Sequence, residues 1–273
     1  MHDNDHWERQ GQDKAGYETA YIMSDTAIPS PIEVDTTEFM TTEDILTYSQ
    51  NDDVADNRVI GGVTPTLEGG AIVASDATPF TYGKGVRLNG TTAFEDFNPS
   101  PRTSDSCTVI GRFNVKSTPS TSAASLWGDL GAGDLGIALA SFSGNLALWV
   151  NGNRIFFTTN ALTRINGQGW IDIAVTLKID ENLIPTASIY LNGVLDDTGT
   201  ASAGAVTDWN QMSTSFSIGC AKNGSGNFAI PDIEADYDDF RIYNSVLSDA
   251  DILNFTTSKD VYDLANTPVT PDA

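Results

Sequence analysis

From Leu46 onward the chain alternates apolar and polar residues in short runs, and each run ends at Gly, Asn, Asp or Pro. Side chains on a strand point to opposite faces in turn, so this period predicts half-buried β-strands. Leu146–Val150 turns at Asn151-Gly152 and returns as Arg154–Phe157; Ser188–Leu191 turns at Asn192-Gly193 and returns as Val194-Leu195. Asn-Gly supplies the two positive-φ residues of a type I′ turn, so both segments read as hairpins. Further strands are predicted at Val86–Leu88, Thr108–Phe113, Trp170–Lys178 and Phe216–Gly219. Near the C-terminus Phe240 and Ile242 alternate with Arg241 and Tyr243, the pattern of a half-buried strand that closes a sheet. Ser248 and Asp251 then form a capping box, and Ile252, Leu253 and Phe255 are the residues that pack the resulting helix turn onto the sheet. Many short strands with almost no helix predict an all-β sandwich or jelly roll.

The order of these segments resembles the laminin-G-like, concanavalin-A-like jelly roll. Leu46–Asp52 with Asp56 is similar to the family's first strand and its polar loop, and Gly83–Gly90 to its second strand. Gly169–Thr176 and Ile189–Leu195 resemble its central pair. Ser217–Gly219 and Asp238–Asn244 through Ile252 resemble its end. Cys107–Phe113 stands where the family runs into a long strand, with Arg112 interrupting the usual aromatic alternation. The resemblance implies an antiparallel β-sandwich of two sheets, one of them concave, over residues 46–257, with one short C-terminal helix turn. This fold serves lectins, adhesion modules, hydrolases and plain structural modules.

Residues 1–45 differ in texture. They hold eleven acids against Arg9 and Lys14, with scattered apolar residues, and read either as a disordered tail or as an extended acidic arm that orders only against a partner, the reading taken here. Residues 258–273 read as a loose tail. The whole chain has 37 acidic and 14 basic residues, a formal charge of −23. That balance excludes nucleic acid and an anionic membrane surface as partners, since phosphates call for Lys and Arg. Cys107 and Cys220 are too few for a disulfide framework; two separate buried thiols or one long-range bridge both fit. No apolar run is long enough for a membrane span, and the N-terminal residues have no basic and apolar export pattern.

Three chemistries are available to such a chain. Glu234-Ala235-Asp236-Tyr237-Asp238-Asp239 approaches the Glu-x-Asp-x-x-Glu strand motif of β-glucan hydrolases, but its last acid is Asp and it is expected away from the sheet centre. With His2 and His6 the only histidines, both in the arm, no Ser–His–Asp grouping arises, and the chain reads as a non-enzyme. Calcium is the one cofactor the acids invite, through Asp236, Asp238 and Asp239, against the plainer reading that Asp238 anchors a turn. Carbohydrate binding would use exposed aromatics. Trp149 faces away from Leu148 and Val150, and Phe156 does the same on the returning strand, so together they form a candidate sugar platform or, as readily, the second face of a strand buried on both sides. Trp127 and Trp209 lie in loop-like surroundings as candidate rim contacts, whereas Trp170 is expected in the core.

Two functions follow as expectations. The first is a virus-particle surface component, such as a phage decoration or fibre protein. Its residues 1–45 would dock on neighbouring virion subunits, it would be a homo-oligomer, and its jelly roll would face outward. The second is a carbohydrate-binding or adhesion module for cell-surface glycans, extracellular or at the cell surface by a non-classical route. A glycoside hydrolase ranks below both.

Overall fold

Three long strands rich in β-branched and aromatic residues form the middle of one sheet: β6 (Cys107–Ser117), β11 (Trp170–Ile179) and β17 (Glu234–Tyr243). The computed structural model describes residues 45–49, 65–79, 84–97, 100, 106–118, 124–129, 136–142, 144–151, 153–158, 160–201, 215–222, 228–229 and 233–257. The expected arm (residues 1–45, Ile45 apart) and the tail 258–273 lie outside these, as does Trp209.

The central strands continue outward through β12 (Pro185–Leu191) and β13 (Val194–Thr200) on one side, and β4 (Gly85–Asn89) and β3 (Ile72–Ala74) on the other. β1 (Ile45–Ser49) pairs with Phe240–Tyr243 of β17, whereas β4 pairs with Glu234–Tyr237, so two strands share one side of β17. The second, seven-stranded sheet runs β10 (Asn153–Thr158), β9 (Asn145–Val150), β8 (Ile137–Phe142), β7 (Ala124–Gly128), β14 (Phe216–Ile218), β5 (Phe94–Phe97) and β2 (Thr66–Glu68). A short β15–β16 pair (Ala221–Lys222, Phe228–Ala229) stands apart. Every pairing described is antiparallel, as the jelly-roll expectation requires.

The inner faces of both sheets meet in one core. Phe113, Tyr237 and Phe240 from the first sheet meet Phe216 and Trp127 from the second, with neighbouring ring centroids 5.9–6.5 Å apart. Burying each such side chain stabilises the fold by roughly 1.5–3 kcal/mol. Inside this core Tyr237 donates its hydroxyl to the buried Glu95 carboxylate, a bridge between sheets. Burial is the main reason, and Glu95 the second, that the Tyr237 hydroxyl is held well above the usual tyrosine range.

Both Asn-Gly hairpins form, with Asn151 at φ 47° and Asn192 and Gly193 at φ 51° and 76°. β17, last in the sequence, is central in its sheet rather than closing it. It is also buried on both faces, because helix α2 (Asp249–Thr257) covers the outer one. Ile252 and Phe255 pack on Ile110, Ala174 and Tyr190, while Leu253 points away and is 48% exposed. The capping box forms as expected, Ser248 N–H donating to Asp251 Oδ2 at 3.0 Å and Asp251 N–H to Ser248 Oγ at 3.2 Å. Helix α1 (Ala161–Ile165), which the strand pattern does not foreshadow, seats Ala161, Leu162 and Ile165 in the core. Cys107 and Cys220 are buried and not joined in a disulfide, which resolves the open choice in favour of two separate thiols.

Candidate functional site

The outer face of the seven-stranded sheet carries one continuous cross-strand row. Register places Thr66 beside Asp96, Asp96 beside Ser217, Ser217 beside Gly128, Gly128 beside Ala138, Ala138 beside Trp149 and Trp149 beside Arg154. Directly opposed residues share a face, so these side chains line up across all seven strands. Ser217 donates to Asp96 Oδ1 at 2.7 Å at one end. The middle is low, Gly128 and Ala138 here and Ser125, Ala140 and Ala147 in the next row, and closed to solvent, with none of these four side chains above 3% exposed. Both ends are accessible: Thr66 is exposed and Asp96 half-buried at one, Trp149 half-buried and Arg154 exposed at the other.

Trp149 therefore keeps its expected orientation, away from the core residues Leu148 and Val150. Its expected companion, Phe156, is not its partner in the register. A register shift between Arg154 and Phe156 sets Phe156 opposite Leu148 and gives Trp149 the partner Arg154. Trp127 is not a rim contact: it is in β7, 1% exposed, stacked on Phe216 at 5.9 Å. Trp170 is half-buried at the start of β11 instead of in the core.

Sequence reading passed over Arg154, whose role depends on a bulge that alternation cannot show. It marked Arg112 as a break in aromatic alternation but gave it no role. Arg112 is buried and donates to Asp172 Oδ1 at 2.9 Å, to Asp239 Oδ2 at 3.2 Å and to the Phe255 carbonyl at 2.7 Å.

The three candidate calcium ligands lie on the opposite sheet, under and beside α2. Asp236 is bound by Arg87 Nε at 2.7 Å and Lys116 Nζ at 3.0 Å. Asp239 is bound by Arg112 and by Arg241 Nε at 2.8 Å. Asp238 accepts the Thr78 hydroxyl at 2.5 Å and the Asp239 N–H at 2.7 Å, the turn-anchoring role. Asp239 has φ 48° and β17 shifts register between Asp238 and Arg241, so Asp238 leaves the face shared by Tyr237, Phe240 and Ile242. Positive side chains already neutralise two of the three carboxylates. Among the described residues no three His, Cys, Asp or Glu side chains gather in a metal-holding group.

For glycoside hydrolysis two carboxyls must stand about 5–9.5 Å apart across a sugar. Asp96 is the one acid of the described cross-strand row, and Arg154 closes the other end five strand spacings away, roughly 24 Å. The Glu234–Asp239 segment is central, contrary to expectation, but its acids at 236 and 239 are ion-paired.

Solved structures share this architecture. The binding domain of botulinum neurotoxin DC, in complex with rat synaptotagmin II, matches with a TM-score of 0.59 at 14% identity, over 80% of this chain and 52% of that one. The binding domain of Paraclostridial Mosquitocidal Protein 1 matches with the same figures. A botulinum neurotoxin type C structure, described by its interaction with two ganglioside molecules, matches at 0.59 and 15% identity, over 80% and 52%. The chain thus spans about half the length of these neighbours, and the likeness is one of fold. No curated protein sequence matches the chain. Residues 89–253 match the concanavalin A-like lectin/glucanases superfamily, in its laminin-G-like branch, and the chain belongs to that family.

Proposed function

We propose that the chain is a non-enzymatic recognition module that binds carbohydrate, or a carbohydrate-bearing receptor, at a cell surface. The observation that carries this is Trp149, the half-buried aromatic at the β9–β10 end of the outer-face row. An indole offers a flat apolar face to the C–H side of a sugar and an N–H to a hydroxyl. Two structural neighbours, a binding domain in complex with rat synaptotagmin II and a neurotoxin described by its interaction with two ganglioside molecules, add support. Particle assembly through residues 1–45 rests on a segment outside the described residues, and the neighbours favour recognition over it. The test is a glycan array with the full chain. Binding to at least one glycan class, weakened by Trp149→Ala in a folded protein, is the expected result. An array without hits would sink the reading, and β-glucan turnover abolished by Glu234→Gln would replace it with hydrolysis.

A further inference from the structure

Resting on the recognition reading, we infer that the chain holds a second glycan site on its opposite side, a row across the α2-bearing sheet that takes an uncharged, extended oligosaccharide. Register builds the row: Ile72 stands beside Arg87, Arg87 beside Asp236, Asp236 beside Asn114 and Asn114 beside Trp170. The chain neighbours Val86, Leu88, Phe113, Val115, Ala235 and Tyr237 all belong to the core, so the row itself lies on the outer face. The adjoining row, where Arg112 stands beside Asp172, is buried and tied to α2 through the Phe255 carbonyl. The Trp170 row lies one step beyond it and is open: Ile72 is 52% exposed, and Arg87, Asn114 and Trp170 are half-buried.

The ends of the row are apolar and its middle is polar. Asp236, 2% exposed, is the floor. It holds two cations in place, Arg87 Nε at 2.7 Å and Lys116 Nζ at 3.0 Å, and Arg87 Nη2 also reaches Asp76 at 3.1 Å. A guanidinium and an ammonium carry more N–H donors than these contacts consume. Asn114 adds an amide that both donates and accepts, and Trp170 a flat ring with an N–H. Among the described residues neither of these two side chains has a hydrogen-bond, ion-pair or ring partner.

Charge and length choose the ligand. The two cations meet two carboxylates, Asp236 and Asp76, so the row has no net charge, and in a chain of −23 an anionic ligand gains nothing there. Sugar hydroxyls donate and accept at once, which suits an amide and tethered cations set side by side. From Ile72 to Trp170 the row crosses four strand spacings, roughly 19 Å, a span for a stretched oligosaccharide and not for a coiled one. Trp170 would stack on one terminal ring and Ile72 touch the other.

The experiment is calorimetric titration of the full chain with cellopentaose, xylopentaose and mannopentaose, the matching disaccharides, coiled maltopentaose and charged pentagalacturonate. Variants are Trp170→Ala, the milder Trp170→Phe, Asn114→Ala and Ile72→Ala, each checked for an unchanged thermal transition. Asn114 and Ile72 carry the test should Trp170→Ala not fold. At least one of the three extended pentasaccharides should bind, and more tightly than its own disaccharide. Trp170→Ala should weaken it about tenfold, the scale of an aromatic contact, with Trp170→Phe in between. Asn114→Ala should weaken it about fivefold, the scale of a hydrogen bond. Ile72→Ala should weaken the pentasaccharide about threefold, so that its advantage over the disaccharide shrinks. Equal affinity for pentagalacturonate would overturn the uncharged choice, and equal affinity for maltopentaose the extended one. Binding that no variant of the row weakens would put the glycan elsewhere and leave recognition standing. No heat from any probe would end this inference, while an array hit weakened by Trp149→Ala would still uphold the broader reading.

Discussion

Arg112 and Phe255 hold each other twice. The guanidinium donates Nη2–H to the Phe255 carbonyl at 2.7 Å and lies over the Phe255 ring, 4.4 Å from its centroid. Arg241 flanks the same ring at 4.9 Å. The Phe255 carbonyl belongs to the last turn of α2, where carbonyls lack helical partners and attract positive charge. One side chain thus ties β6, β11, β17 and α2 together, through Asp172, Asp239 and Phe255.

Arg112→Met should lower the stability of the fold by about 3–5 kcal/mol, because it leaves the buried Asp172 and Asp239 carboxylates facing a thioether. Arg112→Lys should rescue little, since a single ammonium cannot reach three partners in fork geometry. Urea denaturation of both variants checks this. A loss below 1 kcal/mol for the Met variant would show that the cluster contributes little.

Stability should rise as pH falls from 8 toward 5 through Asp238. Burial, reinforced by neighbouring Asp239, pushes its carboxyl from the ordinary 3.8 to about 7, although the Thr78 hydroxyl and Arg112 pull the other way. Between those two values the folded chain holds a proton that the unfolded chain has released. Each pH step upward through the window therefore costs up to about 1.4 kcal/mol, and the trend levels off above 7. Asp238→Asn should flatten the profile while keeping an acceptor for Thr78. Thermal unfolding of both proteins from pH 5 to 8 makes the comparison; parallel profiles would refute the assignment.

Ser248→Ala should remove about 1 kcal/mol by breaking the cap on α2. The loss should appear first as faster amide exchange in 249–257, ahead of any change in the sheets. Exchange that accelerated equally in both sheets would show that the helix does not open on its own.

Much of this architecture was legible in the residues. Asn192-Gly193 set a hairpin because the turn chemistry is local, and Ser248 with Asp251 set a helix start for the same reason. What stayed hidden depends on register. One extra residue in β10 exchanges Phe156 for Arg154 opposite Trp149, and one in β17 turns Asp238 out of the core face. β7 and β8 escaped notice because Ala, Ser and Gly dominate them, residues with no strand preference of their own. Trp127 looked like loop because Gly128 follows it, yet that glycine is part of the strand. Arg112 did announce itself as an anomaly, but its three partners come from residues 60 to 143 positions away.

The central position of β17 has a kinetic side. A nascent chain that has not yet delivered residues 234–243 cannot close the gap between β4 and β6, nor give β1 a neighbour. Two hydrogen-bonding margins and the sides of Phe113 and Phe216 that Tyr237 and Phe240 cover then stay exposed during synthesis, an invitation to sticking between copies. Maturation of this molecule is consequently a late event, slow in the manner of chains whose pairings join distant segments.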